Sequence, residues 1–140
     1  MKIGMKEKGD ESMMQVSAAI FRRGNKILIA QRAAEDDCGL MWELPGGKIE
    51  PGETIEQCIV REMKEELGID IRVKDVYAKT IYHVGERSAE FTFFDTEIVD
   101  GEIQKNVHDD IRWESRERLL DYEYLPADAD IIRRLVREGK

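Results

Sequence analysis

Three glutamates, Glu62, Glu65 and Glu66, stand close together in a stretch that reads as helix, inside a longer run over residues 47–69 that also carries Glu53 and Arg61. At a helical 100° per residue the three positions span an arc of roughly 100°, so their carboxylates are expected to converge on one patch of the cylinder. Like charges at that spacing repel at about 0.2–0.5 kcal/mol per pair, and the patch calls for a cation. An all-oxygen ligand set suits Mg²⁺ or Mn²⁺, hard ions that keep several waters and are commonly completed by substrate phosphates. Just upstream, Pro45-Gly46-Gly47 offers backbone that a ligand can approach closely, with the Gly46 carbonyl as a further candidate metal ligand. The chemistry such a set supports is metal-assisted hydrolysis of a phosphoanhydride.

A strand, a loop and a helix are needed to hold these groups. The helix carries its own ends: Thr54 with Gln57 three residues on forms a capping box, and Gly68 is placed for a left-handed C-terminal turn. Ile55, Ile59, Met63 and Leu67 make an apolar stripe beside the acidic arc. Before the helix, residues 16–21 and 26–31 read as a hairpin turned at Arg22-Arg23-Gly24-Asn25, and residues 41–44 as a short strand stopped by Pro45-Gly46-Gly47. After it, residues 69 to about 99 are strand-like, Asp100-Gly101 is a turn, and residues 111–113 form a final strand. Ser115 is placed to cap a short helix through Leu120, and Pro126 with Asp128 to open a last helix with Ile131, Ile132, Leu135 and Val136 on its apolar face. Strands interleaved with two main helices predict an α/β fold whose mixed sheet is covered on both sides.

At 140 residues the chain reads as one domain over residues 13–140, preceded by a polar leader at 1–12 that is expected to be disordered. A net charge of −8 argues against stable, non-specific nucleic-acid binding, which needs clustered Lys and Arg. No run approaches the roughly 18 apolar residues of a membrane span, and the leader lacks the apolar core of a signal peptide. Cys38 and Cys58 have no metal-like spacing, which points to reduced thiols and the cytoplasm. The expected state is a monomer or a homodimer.

The run Gly47-x5-Glu53-x7-Arg61-Glu62-Met63-x-Glu65-Glu66-x-Gly68-Ile69 matches the Nudix box at every defined position. With residues 41–54 and the tail Tyr124-Leu125-Pro126-Ala127-Asp128, the chain resembles a Nudix hydrolase of the MutT-like branch across residues 14–136. The resemblance implies an α/β/α sandwich that uses Mg²⁺, or Mn²⁺, to attack the β-phosphorus of a nucleoside triphosphate. The products are a nucleoside monophosphate and pyrophosphate, and the role is cleansing modified nucleotides such as 8-oxo-dGTP from the pool that feeds DNA. It further implies that Glu62, Glu65 and Glu66 hold metal with the Gly46 carbonyl, and that Arg61 fixes the box by pairing with acidic neighbours. Glu53 and Glu65 both stand as the base. On the substrate side it places Arg32 near the phosphates, Leu44 in the base pocket, Lys48 among the binding residues, and Arg87 and Asp128 at base edges.

Two departures qualify the likeness. Asp128 stands where asparagine is common; ionised it only accepts hydrogen bonds, which suits cytosine-type nucleotides, whereas protonated by burial it suits an oxidised guanine. Val107 stands where relatives carry Glu, with Asp109 or Asp110 as replacements. Alternatives within the enzyme class are a CTP or dCTP pyrophosphatase or a hydrolase of another nucleoside diphosphate derivative; outside it, a nucleotide-binding module without turnover. Residue by residue, Arg61 and Glu65 also read as a surface i,i+4 pair, Asp128 as a helix N-cap, His108 as a hydrogen-bonded loop histidine, and Trp42, Phe91, Phe93 and Phe94 as core.

Overall fold

The computed structural model describes residues 13–139, and the expected leader lies outside them. β1 (Met13–Arg23) runs through the middle of the sheet with side chains split between two faces: Ala18 and Ile20 enter one core, Ala19 and Phe21 the other. Its neighbours are β2 (Lys26–Gln31), β4 (Gly46–Lys48) and β6 (Arg87–Asp100). β3 (Trp42–Glu43) and β7 (Asp110–Ser115) flank β2, while β5 (Asp70–Val84) flanks β6. The β1–β6 pairing is parallel and the rest antiparallel, so the sheet is mixed.

α1 (Ile55–Leu67) covers one face, packing Ile59, Met63 and Leu67 on Phe21, Leu28 and Phe94. α2 (Pro126–Glu138) covers the other, packing Ile131, Ile132 and Leu135 on Ile20, Ile27, Ile29 and Phe93. Each such side chain contributes about 1.5–3 kcal/mol on full burial, which makes the two stripes the main force holding the helices to the sheet. The result is the expected α/β/α sandwich. The caps of α1 form as read: Thr54 and Gln57 exchange both capping-box bonds, and Gly68 takes φ 71°.

Several local expectations change. The β1–β2 hairpin pairs only at Arg22↔Ile27 and Arg23↔Lys26, because β1 then trades β2 for β4. Pro45-Gly46-Gly47 does not simply stop a strand: Gly46–Lys48 is itself β4, and only glycine lets it close on β1, since a Cβ at Gly46 would run into the Ser17 carbonyl. The strand-like stretch after α1 becomes two long strands, β5 irregular between Val73 and Ala78. Ser115 precedes a 3-10 helix, Arg116–Asp121, yet makes no side-chain cap bond. Asp128 is not the N-cap of α2 either; Leu125 holds that position and Asp128 lies in the first turn. No described helix is long and apolar enough to cross a membrane.

Candidate active site

β4, the loop that follows it and α1 bring the box residues together around Arg61. Its Nε lies 2.5 Å from Glu53 Oε2 and its Nη2 3.1 Å from Glu53 Oε1, a two-pronged pairing across the loop-to-helix junction. Nη2 also donates to the Lys48 carbonyl at 3.1 Å, and Nη1 reaches Glu62 at 3.0 Å and Glu65 at 3.2 Å. The bond from Arg61, helped by the Glu50 N–H, holds the Glu53 carboxyl below the usual range. Arg61 therefore pairs with Glu65 in the i,i+4 sense and does far more than that.

Glu62 and Glu66 turn inward, 14% and 15% exposed, whereas Glu65 is 60% exposed and drawn to Arg61. The expected convergence of three carboxylates is thus a convergence of two, and among the described residues no three His, Cys, Asp or Glu side chains gather as a metal-ligand group. Glu66 Oε1 is buried with no hydrogen-bond partner among the described residues. Burial, then the hydrogen bond and charge of Glu62 and the charge of Glu43, push the Glu66 pKa up to about 10. Glu62 packs directly over Gly47, where a Cβ would overlap its carboxylate. Ala19 N–H to Pro45 O and Ile49 N–H to Gln15 O mark the hydrogen-bonded pairs of the β1–β4 ladder, so Gly46 falls in the alternate class and its carbonyl turns away from β1. Two facing carboxylates with an unmet buried oxygen, beside a turned-out carbonyl, fit a hard divalent cation.

A second group closes the site from β3. Glu43 Oε1 accepts from Arg32 Nη1 at 3.1 Å, and Glu43 Oε2 lies 3.0 Å from His108 Nε2, which is 3.9 Å from Glu66 Oε1. Arg32 is steadied by the loop after β2, donating from Nε to Asp37 O at 2.8 Å, where Cys38 and Leu40 adopt positive φ. Glu43 escaped the sequence reading. Its signal was a carboxylate between Trp42 and Leu44, both buried, in a strand otherwise made for a core. Neither Asp109 nor Asp110 faces the arc: Asp109 is exposed, and Asp110 binds Ile111 N and Arg112 Nε. Val107 is exposed, and the loop presents buried His108 instead.

The substrate candidates fall into two places. Leu44 and Asp128 meet on the α2 side, where Asp128 Oδ1 accepts from Leu44 N–H at 3.2 Å. Asp128 is buried, 3% exposed, and that burial, with the charge of Glu43, raises its pKa well above the ordinary range. Lys48 and Arg87 line a cavity of about 300 Å³ with Met14, Tyr82, Ser88 and Ala89, one that Asp128 does not line. A larger cavity of about 470 Å³, around Arg22, Lys74, Asp95 and Trp113, includes none of the expected site residues.

The NUDIX domain model matches residues 12–135. The chain is 38% identical over 120 residues to the CTP pyrophosphohydrolase of Escherichia coli, covering 86% of this chain and 89% of that protein. To the 8-oxo-dGTP diphosphatase of the same organism it is 34% identical over 125 residues, covering 89% and 97%. The crystal structure of the MutT protein from Methanosarcina mazei superposes with a TM-score of 0.76 at 28% identity, covering 91% of this chain and 96% of that one. The arc on α1, its arginine and the glycines facing it therefore occur in a chain that belongs to the NUDIX family.

Proposed function

We propose that the chain is a divalent-metal-dependent nucleoside triphosphate pyrophosphohydrolase of the MutT-like type, acting on modified nucleotides in the cytoplasm. The observation that carries this reading is the pair Glu62 and Glu66, two carboxylates folded against each other with an unmet oxygen. Such an arrangement is costly unless a cation completes it. Glu62, Glu66 and the Gly46 carbonyl would hold Mg²⁺ or Mn²⁺, with Glu65 recruited from the surface. When bound, the metal's contribution is charge neutralisation of the phosphates and activation of the attacking water.

The protein's own groups supply the rest. Arg61 fixes Glu53 and Glu62 relative to each other, and both oxygens of Glu53 are already engaged, by Arg61 and by Glu50 N–H. Glu53 is thereby suited to positioning, and Glu65, with one oxygen on Arg61, to taking the proton from water. Arg87 shares a cavity with Lys48 that Asp128 does not line, which favours a phosphate role for both over the base-edge role expected of Arg87, while Arg32, expected near the phosphates, is paired with Glu43. Water adds to the β-phosphorus, the bond from that phosphorus to the α–β bridging oxygen breaks, and the nucleoside monophosphate leaves, so the oxygen of the water ends in the pyrophosphate.

Asp128 bears on the choice of base. Its burial favours the neutral acid, which both donates and accepts and so supports an oxidised purine; the 38% likeness to a CTP pyrophosphohydrolase supports cytosine as a second reading. Pyrophosphate release from 8-oxo-dGTP, dGTP, dCTP, 5-methyl-dCTP and CTP, with Mg²⁺ and with excess EDTA, tests both. Glu62→Gln and Glu66→Gln should each lower turnover by orders of magnitude. Undiminished turnover in EDTA, or an active double Gln variant, would refute the site.

A further inference from the structure

The loop over residues 101–109 is stitched to the last turn of α1. Gln104 N–H donates to Leu67 O at 2.8 Å, Asn106 N–H to Glu66 O at 3.3 Å, and Asn106 Nδ2 to Glu65 O at 3.1 Å. These are carbonyls that a helix C-terminus leaves without partners, so the loop serves as their cap. At its other end Asp109 N–H donates to Gln31 O at 2.9 Å, anchoring the loop to β2. Between the two anchors His108 is driven inward, its side chain 3% exposed. Its Nε2 faces Glu43 Oε2 at 3.0 Å and Glu66 Oε1 at 3.9 Å. Glu43, paired with Arg32, offers only acceptor oxygens there, which assigns the ring hydrogen to Nε2. Nδ1 is buried without a partner among the described residues, so the imidazole acts through Nε2.

We infer that His108 is a positioning residue for Glu66. Hydrogen-bonded to Glu43 of the Arg32–Glu43 pair, its ring stands against Glu66 Oε1 and keeps the Glu43 and Glu66 carboxyl groups apart. This inference rests on the reading of Glu62 and Glu66 as metal ligands. Without the imidazole, Glu43 Oε2 and Glu66 Oε1 face each other with no donor between them. Once Glu66 gives up its proton to bind a cation, two carboxylates so placed repel, and Glu66 swings from the geometry that the cation needs. Partners of metal ligands that act in this way are worth about 10–100-fold in metal affinity when lost.

The probe is Mn²⁺ alone, titrated into the nucleotide-free protein and read by electron paramagnetic resonance, beside kcat and KM for the best triphosphate of the panel. His108→Leu should weaken Mn²⁺ binding about 10–100-fold. His108→Gln, whose amide nitrogen reaches the place of Nε2, should restore binding to within about threefold of the natural chain, whereas His108→Asn, whose amide stops at the place of Nδ1, should not. The loss should appear in kcat at subsaturating metal with KM for the nucleotide little changed, and it should shrink as Mn²⁺ is raised. If His108→Leu does not fold, the Gln and Asn pair decides. Mn²⁺ binding that is lost in Glu62→Gln/Glu66→Gln yet equal in all His108 variants overturns the role of His108 alone. Binding that survives the double Gln variant overturns the metal site and the inference with it.

Discussion

Arg61 and Glu53 meet through two hydrogen bonds, of 2.5 and 3.1 Å, joining the loop before α1 to the second turn of the helix. Glu53 is thereby held against the side that carries Glu62 and Glu65, both of which the same guanidinium also reaches. A planar fork with five donors can do this, and an ammonium cannot. Arg61→Lys should therefore behave nearly as badly as Arg61→Ala, each lowering kcat by about 10–100-fold, the usual cost of removing a residue that orients metal ligands. Steady-state kinetics at saturating Mg²⁺ check this; a lysine variant with natural kcat would reduce Arg61 to a generic positive charge.

Gly47 makes a different demand. Its φ is ordinary, and the constraint is space: a Cβ would overlap the Glu62 carboxylate. Gly47→Ala should push Glu62 off its position at a stability cost of about 1–3 kcal/mol, the usual range for overpacking. The Mg²⁺ concentration for half-maximal activity should rise, and a natural Mg²⁺ dependence in a folded Gly47→Ala protein would show that Glu62 has room to spare. Thermal melts and a Mg²⁺ titration separate the two effects.

What was legible from sequence was local. The capping box at Thr54, the stop at Gly68 and the stripe through Ile59, Met63 and Leu67 each lie within a few residues of their partners, and all appear in α1. The orientation of Glu65 was not legible from angle alone, because Arg61 one turn earlier competes for it. β4 was hidden because a Gly-Gly pair reads as a turn, while its strand character comes from the close approach to Ser17 on β1. The contact of Glu43 with His108 spans 65 residues, and no spacing rule reaches that far.

Acid–base behaviour offers a test that needs no substrate. Glu66 titrates near 10 in the folded chain against an ordinary value of 4.5, so between those values the folded state binds more protons than the unfolded one. Stability then falls as pH rises: the contribution is complete below about 4.5 and lost by about 10. In EDTA, the melting temperature of the natural chain should decline from pH 5 to pH 9 relative to Glu66→Gln, which cannot titrate. Mg²⁺ should narrow the gap by favouring the ionised form, and its affinity should rise with pH. Parallel curves for the two proteins in EDTA would show that Glu66 is already ionised without metal.

Asp128 sets the last contrast, because its two protonation states predict opposite responses to one substitution. Its Oδ1 holds the Leu44 N–H, so Oδ2 is the oxygen left for a ligand. As the neutral acid that burial favours, Asp128 donates through Oδ2, and asparagine reproduces both contacts, its oxygen toward Leu44 and its NH₂ toward the base. Asp128→Asn should then keep kcat/KM for an oxidised purine triphosphate within about tenfold, while Asp128→Leu leaves the Leu44 N–H unpaired. That loss is about 1–3 kcal/mol, roughly five- to 150-fold in kcat/KM if borne at the transition state. An ionised Asp128 reading the amino group of cytosine predicts the reverse. The Asn variant would then present a donor to a donor and lose the cytosine nucleotide as completely as the Leu variant. The ratio of Asn to Leu activities, measured on both bases, therefore reports the proton on Asp128 as well as the base it reads.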